Sequence, residues 1–348
     1  MKKLFYFLLF ILFLISNSIK IHAQTLEETL SKISGEASKA YVLPIGSAFG
    51  SNLNSGWVRK APSATKLSLD VDISFVAMAT FFSDEGKTFS SSGDFRFSRD
   101  QAEQIVPSNI TGPARENIIN EIISKYFNVR ISGPTIVGSK NDSVKVVFPG
   151  QVIQGQNIGS KTIVLPVGGF LEDLPALPLF APQVTVGTVY GTSVSLRILP
   201  EIEINKDLGK FKFSGFGIQH NPLVWFPFDL PLNVSLGYFT QSMEVGTIFK
   251  SSSSIFGVYA SKRFGPGGLS IEPYGGISFE SSKMEVGYDV VFDSPAGPQP
   301  SRISYELEGE NSARFTLGTN INLGPIRVSV DYNMAKYSAI SGAFSFGF

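Results

Sequence analysis

The chain has 348 residues, with 29 basic and 29 acidic side chains, no cysteine and two histidines. This balance of charge is unlike that of a nucleic-acid-binding protein, and without cysteine no disulfide framework can form. Because His22 lies close to the N-terminus, a Ser-His-Asp triad in the rest of the chain would have to use His220. We find no cofactor motif in the sequence and predict no cofactor.

The first 23 residues have the layout of a secretory signal peptide. Lys2 and Lys3 precede an apolar run from Leu4 to Ile15, and the small residue Ala23 stands where a signal peptidase would cleave. The alternative is a transmembrane anchor, but the apolar run is short for a helix that crosses a bilayer. We therefore predict an exported protein, cleaved after about Ala23, whose mature chain begins at Gln24.

The segment 24–62 begins with a helical pattern and continues with small residues. Leu26, Leu30 and Ile33 recur at helical spacing within 25–41, and the stretch "GSAFGSNLNSGW" at 46–57 is short of bulky side chains. We predict a helix and a segment that plugs the lumen of a barrel or covers its periplasmic mouth. An ordinary surface helix and a flexible linker are equally good alternatives.

From residue 63 to 348 the chain alternates apolar and polar residues in many short segments, as strands with one apolar face do. The clearest upstream segment is 67–82, in which Val71 and Ile73 alternate with Asp70 and Asp72. Weaker strand candidates are 88–98, 127–139, 142–150 and 160–166. Between them, 112–127 has isoleucines on one helical face. We predict a helical insertion there that folds into the lumen or packs over a barrel mouth, and a plain surface helix is the alternative.

The C-terminal half gives the clearest strand pattern. In 303–323 the alternation holds for most of a length about twice that needed to cross a bilayer, so we expect this strand to continue beyond the membrane. Segment 269–290 changes phase near Ser281 to Met284, which indicates a bulge or a turn. The strand candidates after residue 180 are 182–190, 192–204, 209–220, 231–241, 253–264, 269–290, 302–323, 325–335 and the C-terminal segment.

Short Gly/Pro links and longer polar links alternate along these candidates. Segments 322–325 and 264–268 resemble tight periplasmic turns, whereas 292–301 and 242–252 resemble outer loops. The sequence therefore predicts an all-β protein, a transmembrane antiparallel β-barrel of about 14 strands, within a range of about 12 to 16.

Alternation alone does not separate a soluble sheet from a barrel in lipid. Three features favour lipid: the signal peptide, polar faces with charges of both signs, and an aromatic last strand. In a barrel the polar faces would line the lumen. The lumen-facing candidates are Asp70, Asp72, Arg197, Glu306, Arg314, Arg327 and Asp331.

The chain ends on "ISGAFSFGF", residues 340–348, with Phe344, Phe346 and Phe348 two apart. A terminal aromatic residue preceded by two others at this spacing resembles the signature that barrel-assembly machinery recognises on outer-membrane proteins. We predict that the three rings face lipid, with Phe348 in the interfacial aromatic girdle, and that Ser345 and Gly347 face the lumen. The alternative, an uncovered hydrophobic edge strand, would be an aggregation hazard.

A second aromatic group lies in "NPLVWFPFDLP", residues 221–231. We predict that Trp225, Phe226 and Phe228 belong to the girdle at the periplasmic rim; a role in stacking on a ligand is the alternative. His220 precedes this stretch. We expect it to be an interfacial hydrogen-bonding residue, and a barrel-embedded hydrolase using it is the less favoured alternative because no nucleophile motif accompanies it.

Three stretches, 40–82, 174–202 and 213–239, resemble an uncharacterised family of bacterial outer-membrane barrels of unknown function. More distantly, the lead-in before the strands is similar to that of barrels of the long-chain fatty-acid transporter type. That resemblance implies a lumen plugged by the N-terminus, with hydrophobic solutes leaving sideways into the membrane. It implies no catalytic or binding residue.

We therefore predict an outer-membrane channel or transporter for small solutes, hydrophobic ones included, and no enzyme. The alternative is a structural or surface-interaction barrel without conduction. The partners we expect are outer-membrane lipid, the barrel-assembly machinery through the Phe348 strand, and a small hydrophobic solute; we expect no nucleic acid.

Overall fold

The computed structural model describes residues 35–347, except 170, 206–208, 228–229, 267 and 295–296. The described helices are α1 (Gly35–Leu53), α2 (Arg99–Ile105) and α3 (Gly112–Ser124). The strands are β1 (Leu67–Phe81), β2 (Thr88–Phe95), β3 (Phe127–Pro134), β4 (Val144–Phe148), β5 (Gln151–Ile153), β6 (Gln156–Ile158), β7 (Lys161–Leu165), β8 (Ala176–Val189), β9 (Thr192–Asn205), β10 (Gly209–His220), β11 (Asn233–Val245), β12 (Phe249–Ser261), β13 (Leu269–Ser294), β14 (Gly297–Glu308), β15 (Ala313–Leu323), β16 (Ile326–Met334) and β17 (Ala339–Gly347).

Ten strands, β1, β8–β13 and β15–β17, form a closed antiparallel barrel, and β14 pairs with the far end of β13 as an extra strand. The ring closes at two places: β1 pairs with β17 from Asp72–Gly347 to Thr80–Ala339, and β12 pairs with β13 from Phe249–Val286 to Ser261–Tyr274. The expectation of an all-β antiparallel barrel is thus confirmed, but the predicted number of about 14 strands is wrong.

The four surplus strands lie outside the barrel wall. Segments 88–98, 127–139, 142–150 and 160–166 contain β2, β3, β4 and β7, which form a separate antiparallel sheet in that order. A strand with one face on a protein core alternates in the same way as a strand with one face on lipid. Periodicity therefore identified these strands but not the sheet to which they belong.

A closed ring of hydrogen-bonded strands resists unfolding by detergent unless the sample is heated. We expect unboiled protein in dodecyl sulfate to migrate differently from boiled protein on a gel, because the closed barrel binds less detergent than the unfolded chain. Identical mobility of the two samples would contradict a closed ring.

Residues 82–175, between β1 and β8, form a folded unit that we call the rim domain. It contains the separate sheet, the β5–β6 hairpin, α2 and α3. Helix α2 starts with a capping box, in which Ser98 and Gln101 exchange side-chain-to-backbone hydrogen bonds. Ile118, Ile119 and Ile122 of α3 are buried in the core of this domain. The predicted helix at 112–127 is therefore part of a larger insertion.

Helix α1 and the irregular residues 54–62 pack against the inner face of the barrel, and we call residues 35–62 the plug. The first half of α1 shares the core of the rim domain through Tyr41, Val42 and Ile45, whereas Leu53 packs among barrel side chains. The helix was predicted at 25–41 with a flexible stretch at 46–57. Residues 25–34 lie outside the described part, and the chain remains helical as far as Leu53.

Two glycines explain how the helix fits against the wall. A Cβ at Gly46 would meet Met284 Sδ at 3.3 Å, and one at Gly50 would lie 2.0 Å from Ser282 Oγ and 2.5 Å from Ser282 Cβ. The small residues of 46–57 thus let a helix backbone approach β13 closely, a use of glycine that the sequence alone did not separate from flexibility.

Strand β13 keeps one alternation of buried and exposed residues where a bulge or turn was predicted. What changes is the interior it faces. Ser270 and Glu272 point into the polar end of the lumen, whereas Met284 and Val286 point into the shared core of α1 and the rim domain. The inward side chains change from polar to apolar because this end of the strand faces α1 and the rim domain on its inner side.

The long segment 302–323 is two strands, β14 and β15, separated by residues 309–312. The interruption reverses the phase: Leu307 is buried on the inner face of β14, whereas Arg314 is buried on the inner face of β15. Glu306 consequently points outward. Its side chain is 56% exposed and pairs with Lys283 at 2.7 Å, so the prediction that Glu306 faces the lumen is wrong.

The two mouths of the barrel differ. Connections such as 190–191 and 324–325 are short at the mouth where β17 ends, and the rim domain stands at the other mouth. Because outer-membrane barrels have their longer connections on the outer side, we expect the rim domain to lie there. Among the described helices, none is long and apolar enough to cross a membrane.

Candidate functional site

The middle of the lumen contains a buried ion pair that ties the plug to the wall. Arg314 on β15 and Glu280 on β13 are each 1% exposed, with 2.9 Å between Nη2 and Oε2. Arg314 also donates to Ser55 Oγ at 2.6 Å and to the backbone oxygen of Ser51 at 3.0 Å. The guanidinium of Arg314 on β15 thus contacts both the neighbouring strand β13 and the plug, at Ser51 and Ser55.

Arg197 on β9 is fully buried and has different partners. Its Nε donates to Gln183 Oε1 at 2.9 Å and its Nη2 to the backbone oxygen of Ser55 at 2.9 Å. Nη1 lies 3.7 Å from Met78 Sδ, and the guanidinium carbon lies 3.9 Å from the centre of the Trp57 ring. Its described partners are therefore neutral groups and an aromatic face.

Nearer the mouth where β17 ends, five charged side chains form a network. Arg59 of the plug binds Asp72 at 2.5 Å, and Lys60 of the plug binds Asp70. Arg327 on β16 reaches both carboxylates, at 3.0 Å from Asp70 and 3.1 Å from Asp72. The plug is therefore anchored by charge to β1, whose two carboxylates also bind Arg327 of β16.

The C-terminal strand makes space for this network. A Cβ at Gly347 would lie 2.1 Å from Arg327 Cζ, so the guanidinium packs directly on the glycine. Ser345 is 2% exposed on the same inner face. Phe344 and Phe346 lie on the outer face, with their ring centres 5.5 Å apart.

Asp331 on β16 is also buried, and its described partners are neutral. It accepts hydrogen bonds from Tyr274 at 2.9 Å and from Ser341 at 2.6 Å, and from Asn333 as well. Of the seven lumen-facing candidates, the structure brings Asp70, Asp72 and Arg327 into direct contact. Arg197, Arg314 and Asp331 lie elsewhere in the lumen, and Glu306 lies outside it.

A polar cavity of about 390 Å³ lies between the lower plug and the wall at this mouth. Arg59, Lys60 and Arg327 line it together with Asp70 and Asp72, so the ionic network forms one of its sides. Further amide and charged side chains in the lining are Gln219, Asn233, Arg263, Glu272 and Asn320. Among the residues that the structure describes, no group of His, Asp or Glu is placed to hold a metal ion.

The wall is incompletely paired between β8 and β9. Their ladder runs from Gln183–Arg197 to Val189–Thr192. In the described backbone the ladder does not continue along 176–182 of β8 and 198–203 of β9, although β8 is paired with β1 over its whole length. We call this unpaired stretch the seam.

Prolines explain why the ladder stops. Pro178 and Pro182 lie on the unpaired part of β8, and Pro200 lies on that of β9. Proline has no N–H to donate to a neighbouring strand, so it belongs at sheet edges and bulges. Next to Pro200, the pairing of β9 with β10 also shifts its register, between Phe211 and Phe213.

The seam is apolar on both sides. Outside, Ile198 is 59% exposed and Phe180 stacks on Phe75 with ring centres 5.7 Å apart. Inside, a packed apolar cluster backs the seam, formed by residues of the wall and of the plug. Its members are Phe49, Leu53, Val76, Met78, Leu179, Ala181, Leu199, Phe211, Phe213, Met243, Val245 and Ala343.

The remaining predicted residues lie at the mouth where β17 ends. Trp225 and Phe226 are more than half exposed there, and Trp225 stacks on Tyr190 with ring centres 5.5 Å apart. Trp225 Nε1 donates to His220 Nε2 at 3.2 Å, and Thr192 Oγ1 lies 2.9 Å from His220 Nδ1. The predictions for Phe228 and Phe348 lie outside the described residues.

Sequence reasoning missed the seam and the stacking of Trp57 on Arg197. The signal for the seam was present in the sequence, since two prolines four residues apart, Pro178 and Pro182, are unusual in a strand inside a sheet. Trp57 gave no such signal, because its contact with Arg197 depends on how the plug lies in the lumen.

The closed ring, the outward aromatic strand and the helix inside the lumen give this chain the fold of an outer-membrane β-barrel, with an internal plug. The model of a family of unknown function, DUF6588, matches residues 1–348, and the chain belongs to this family. A search of curated proteins finds no match.

Several solved outer-membrane barrels are similar to this chain. The trimer form of OmpT of Vibrio cholerae is 10% identical, with 81% of this chain and 99% of that chain covered and a TM-score of 0.25. The outer-membrane protease OmpT of Escherichia coli is 10% identical, with 82% and 98% covered and a TM-score of 0.25. The transport unit of the autotransporter AIDA-I of Escherichia coli is 9% identical, with 87% and 97% covered and a TM-score of 0.27. These likenesses carry no argument about function.

Proposed function

We propose that the protein is an outer-membrane transporter that passes small hydrophobic solutes between its lumen and the lipid through the seam. The observation that carries this proposal is the truncated β8–β9 ladder. Where backbone hydrogen bonds join two strands in lipid, separating them is costly because the freed groups find no water. At the seam this cost is lower, because no described ladder bond joins residues 176–182 of β8 to residues 198–203 of β9.

The surroundings of the seam support an apolar rather than a polar solute. On the outside, Phe180 and Ile198 flank the seam, and the packed cluster behind it consists of aliphatic, aromatic and thioether side chains. An apolar solute that displaced these side chains would lose no hydrogen bond on moving between them and acyl chains. The polar lumen below, closed by the plug and its ion pairs, is a poor route for the same solute.

The test is to lock the seam chemically. The chain has no cysteine, so cysteines introduced at Ala181 and Leu199, which face each other if the β8–β9 register is extended, are the only reactive thiols. We expect a short reducible bismaleimide between them to lower the entry of the hydrophobic dye N-phenyl-1-naphthylamine into cells to the rate of cells without the protein. Cleaving the linker should restore entry.

A matched control uses the same two strands below the seam. Thr185 and Ser195 are paired in the ladder, with their hydroxyl oxygens 2.8 Å apart. The same linker between cysteines at these positions should leave dye entry at the wild-type rate. Dye entry that continues unchanged after complete linking of residues 181 and 199 would refute lateral transfer through the seam.

A surface-interaction barrel without conduction is the second candidate, and the rim domain favours it. This domain holds the first half of α1 in its core and hydrogen-bonds it, with Tyr41 donating to the backbone oxygen of Gly168 at 2.9 Å. A folded unit at the outer mouth is suited to binding a partner at the cell surface. Normal dye exclusion in cells with and without the protein would favour this candidate.

We propose no enzymatic activity. His220 is engaged by Thr192 and Trp225, and neither provides the carboxylate that orients a catalytic histidine in a triad. We also retain as proposals the export signal, the role of the Phe348 strand in recognition by the assembly machinery and the absence of a nucleic-acid partner.

A further inference from the structure

The polar cavity at the mouth where β17 ends has room for a ligand, and the proposed passage through the seam makes no use of it. Its volume of about 390 Å³ lies within the range of about 300–1,000 Å³ that is typical of small-molecule sites. The end of the plug, from Trp57 to Ser63, forms one side of the cavity, and inward-facing residues of the barrel wall form the other. The cavity is therefore a second candidate site, apart from the seam.

Packed aromatic rings close the inner end of the cavity on the side of β10 and β11. Trp57 is 4% exposed and stacks on Phe239, with ring centres 5.1 Å apart. A Cβ at Gly217 would lie 2.2 Å from the ring of Phe239, and one at Gly215 would lie 2.9 Å from that of Trp57. Because these rings lie directly against the wall, we expect a ligand to enter and leave through the mouth.

The charges in the lining largely cancel. The cations are Arg59, Lys60, Arg263 and Arg327, and the carboxylates are those of Asp70, Asp72 and Glu272. Both aspartates are paired with cations of the plug and of β16, and Glu272 accepts a hydrogen bond from Ser261 at 2.8 Å. An anion entering the cavity would have to compete with these carboxylates for the same cations. The lining therefore favours a neutral ligand over an ion.

The same lining offers hydrogen-bond donors and acceptors side by side. Guanidinium and ammonium groups only donate and carboxylates only accept, and hydrogen bonds to such charged groups are stronger than those between neutral groups. Between them lie hydroxyl and amide side chains: Ser63, Thr185, Ser193, Gln219, Asn233 and Asn320. A hydroxyl group both donates and accepts, so a ligand with several hydroxyls can bind to either kind of group.

We propose that this cavity binds a small neutral carbohydrate, such as a disaccharide. The inference goes beyond the passage of hydrophobic solutes and does not depend on it, because the ligand is polar and the site is separate from the seam. With the rim domain on the outer side, as expected above, this mouth opens to the periplasm. The carbohydrate is then one that is present in the periplasm.

The test is saturation-transfer difference NMR on the folded full-length protein in lauryldimethylamine oxide, a detergent without a sugar headgroup. The probes are three neutral disaccharides: trehalose, maltose and chitobiose. We expect transfer from the protein to at least one of them, with a Kd of about 1 mM or below. A Kd above about 10 mM for all three would overturn the proposal.

Ser63→Trp tests whether the sugar lies in this cavity. Ser63 is part of the lining, and an indole in place of its hydroxyl would fill part of the space. We expect the Kd of the bound disaccharide to rise by about tenfold or more. Ser90→Trp adds the same side chain at an exposed position of the rim domain and should bind as the wild type does. Equal affinity of the two variants would place the sugar elsewhere and overturn the assignment.

Two milder variants cover the case in which Ser63→Trp does not fold, as judged by the gel comparison described above. Gln219→Leu and Asn320→Leu each remove a buried amide from the lining, with wild-type exposures of 5% and 3%. We expect each to raise the Kd by about two- to tenfold, as the loss of one hydrogen bond does. An unchanged Kd in both variants would contradict a site in this cavity.

Sodium sulfate distinguishes a carbohydrate site from an anion site. Added at the concentration of the disaccharide, it should leave the transfer unchanged, because the proposed ligand does not use a site that an anion occupies. Loss of the transfer would show that the cavity binds anions and would overturn the proposal. The seam is tested separately by dye entry after linking residues 181 and 199, so failure of one proposal leaves the other standing.

Discussion

Replacing Glu280 with alanine is expected to destabilise the folded protein by about 3–5 kcal/mol, because Arg314 would be left as a buried charge without its carboxylate. Both side chains are 1% exposed, so water cannot replace the lost partner. The measurement is the shift of the urea midpoint in detergent micelles, followed by far-ultraviolet circular dichroism and compared at equal slope.

Two further variants make this prediction specific. Replacing both residues, as E280L/R314M, should recover most of the loss, since a buried ion pair is often matched by apolar residues of similar volume. Glu306→Ala removes an acidic residue of β14 from its solvent-exposed ion pair with Lys283 of β13. We expect no measurable change in the urea midpoint from this substitution. A loss in E280A no larger than in E306A would show that the pair does not hold the plug.

Gly50→Ala is expected to displace the plug from β13 and to produce current steps in planar bilayers. The added Cβ would lie 2.5 Å from Ser282 Cβ, which rotation of the serine hydroxyl cannot relieve. Overpacking of this kind costs about 1–3 kcal/mol, more than the roughly 0.5–1 kcal/mol that alanine gains over glycine in a helix. The wild-type lumen, filled by the plug, is expected to remain without steady current.

The structure offers a rescue and a control for this variant. Ser282→Gly removes the atoms that the new methyl group meets, so the double variant should return to the closed state. Gly35, at the start of the same helix, has no atom within 4 Å of an added Cβ, and Gly35→Ala should behave as the wild type. Currents in G35A equal to those in G50A would show that the contact with Ser282 is not what keeps the lumen closed.

Periodicity predicted the strands well because it reflects which face of each strand is apolar. It could not tell what the apolar face contacts. Strands β2, β3, β4 and β7 pack on the core of the rim domain, yet their sequences alternate in the same way as those of barrel strands. This is why about 14 barrel strands were predicted where the barrel has ten. The same ambiguity misplaced Glu306, since the inner face of β14 is apolar and that of β15 is polar.

The candidate site was only partly accessible from sequence. Asp70, Asp72 and Arg327 could be identified as lumen charges from their position opposite apolar neighbours. Their convergence with Arg59 and Lys60 could not, because it depends on the path of the plug through the ring. The seam follows from the missing backbone N–H groups of Pro178, Pro182 and Pro200. The alternation of apolar and polar residues carries no information about these missing donors.

The path of the N-terminal residues through the ring has a consequence for biogenesis. Ser51 donates a hydrogen bond to the backbone oxygen of Tyr337, 286 positions further along the chain, and β1 joins β17 to complete the circle. Once that pairing is made, the helix is encircled by the wall. We therefore expect the helix to take its place before the first and last strands meet, so that their pairing encloses it.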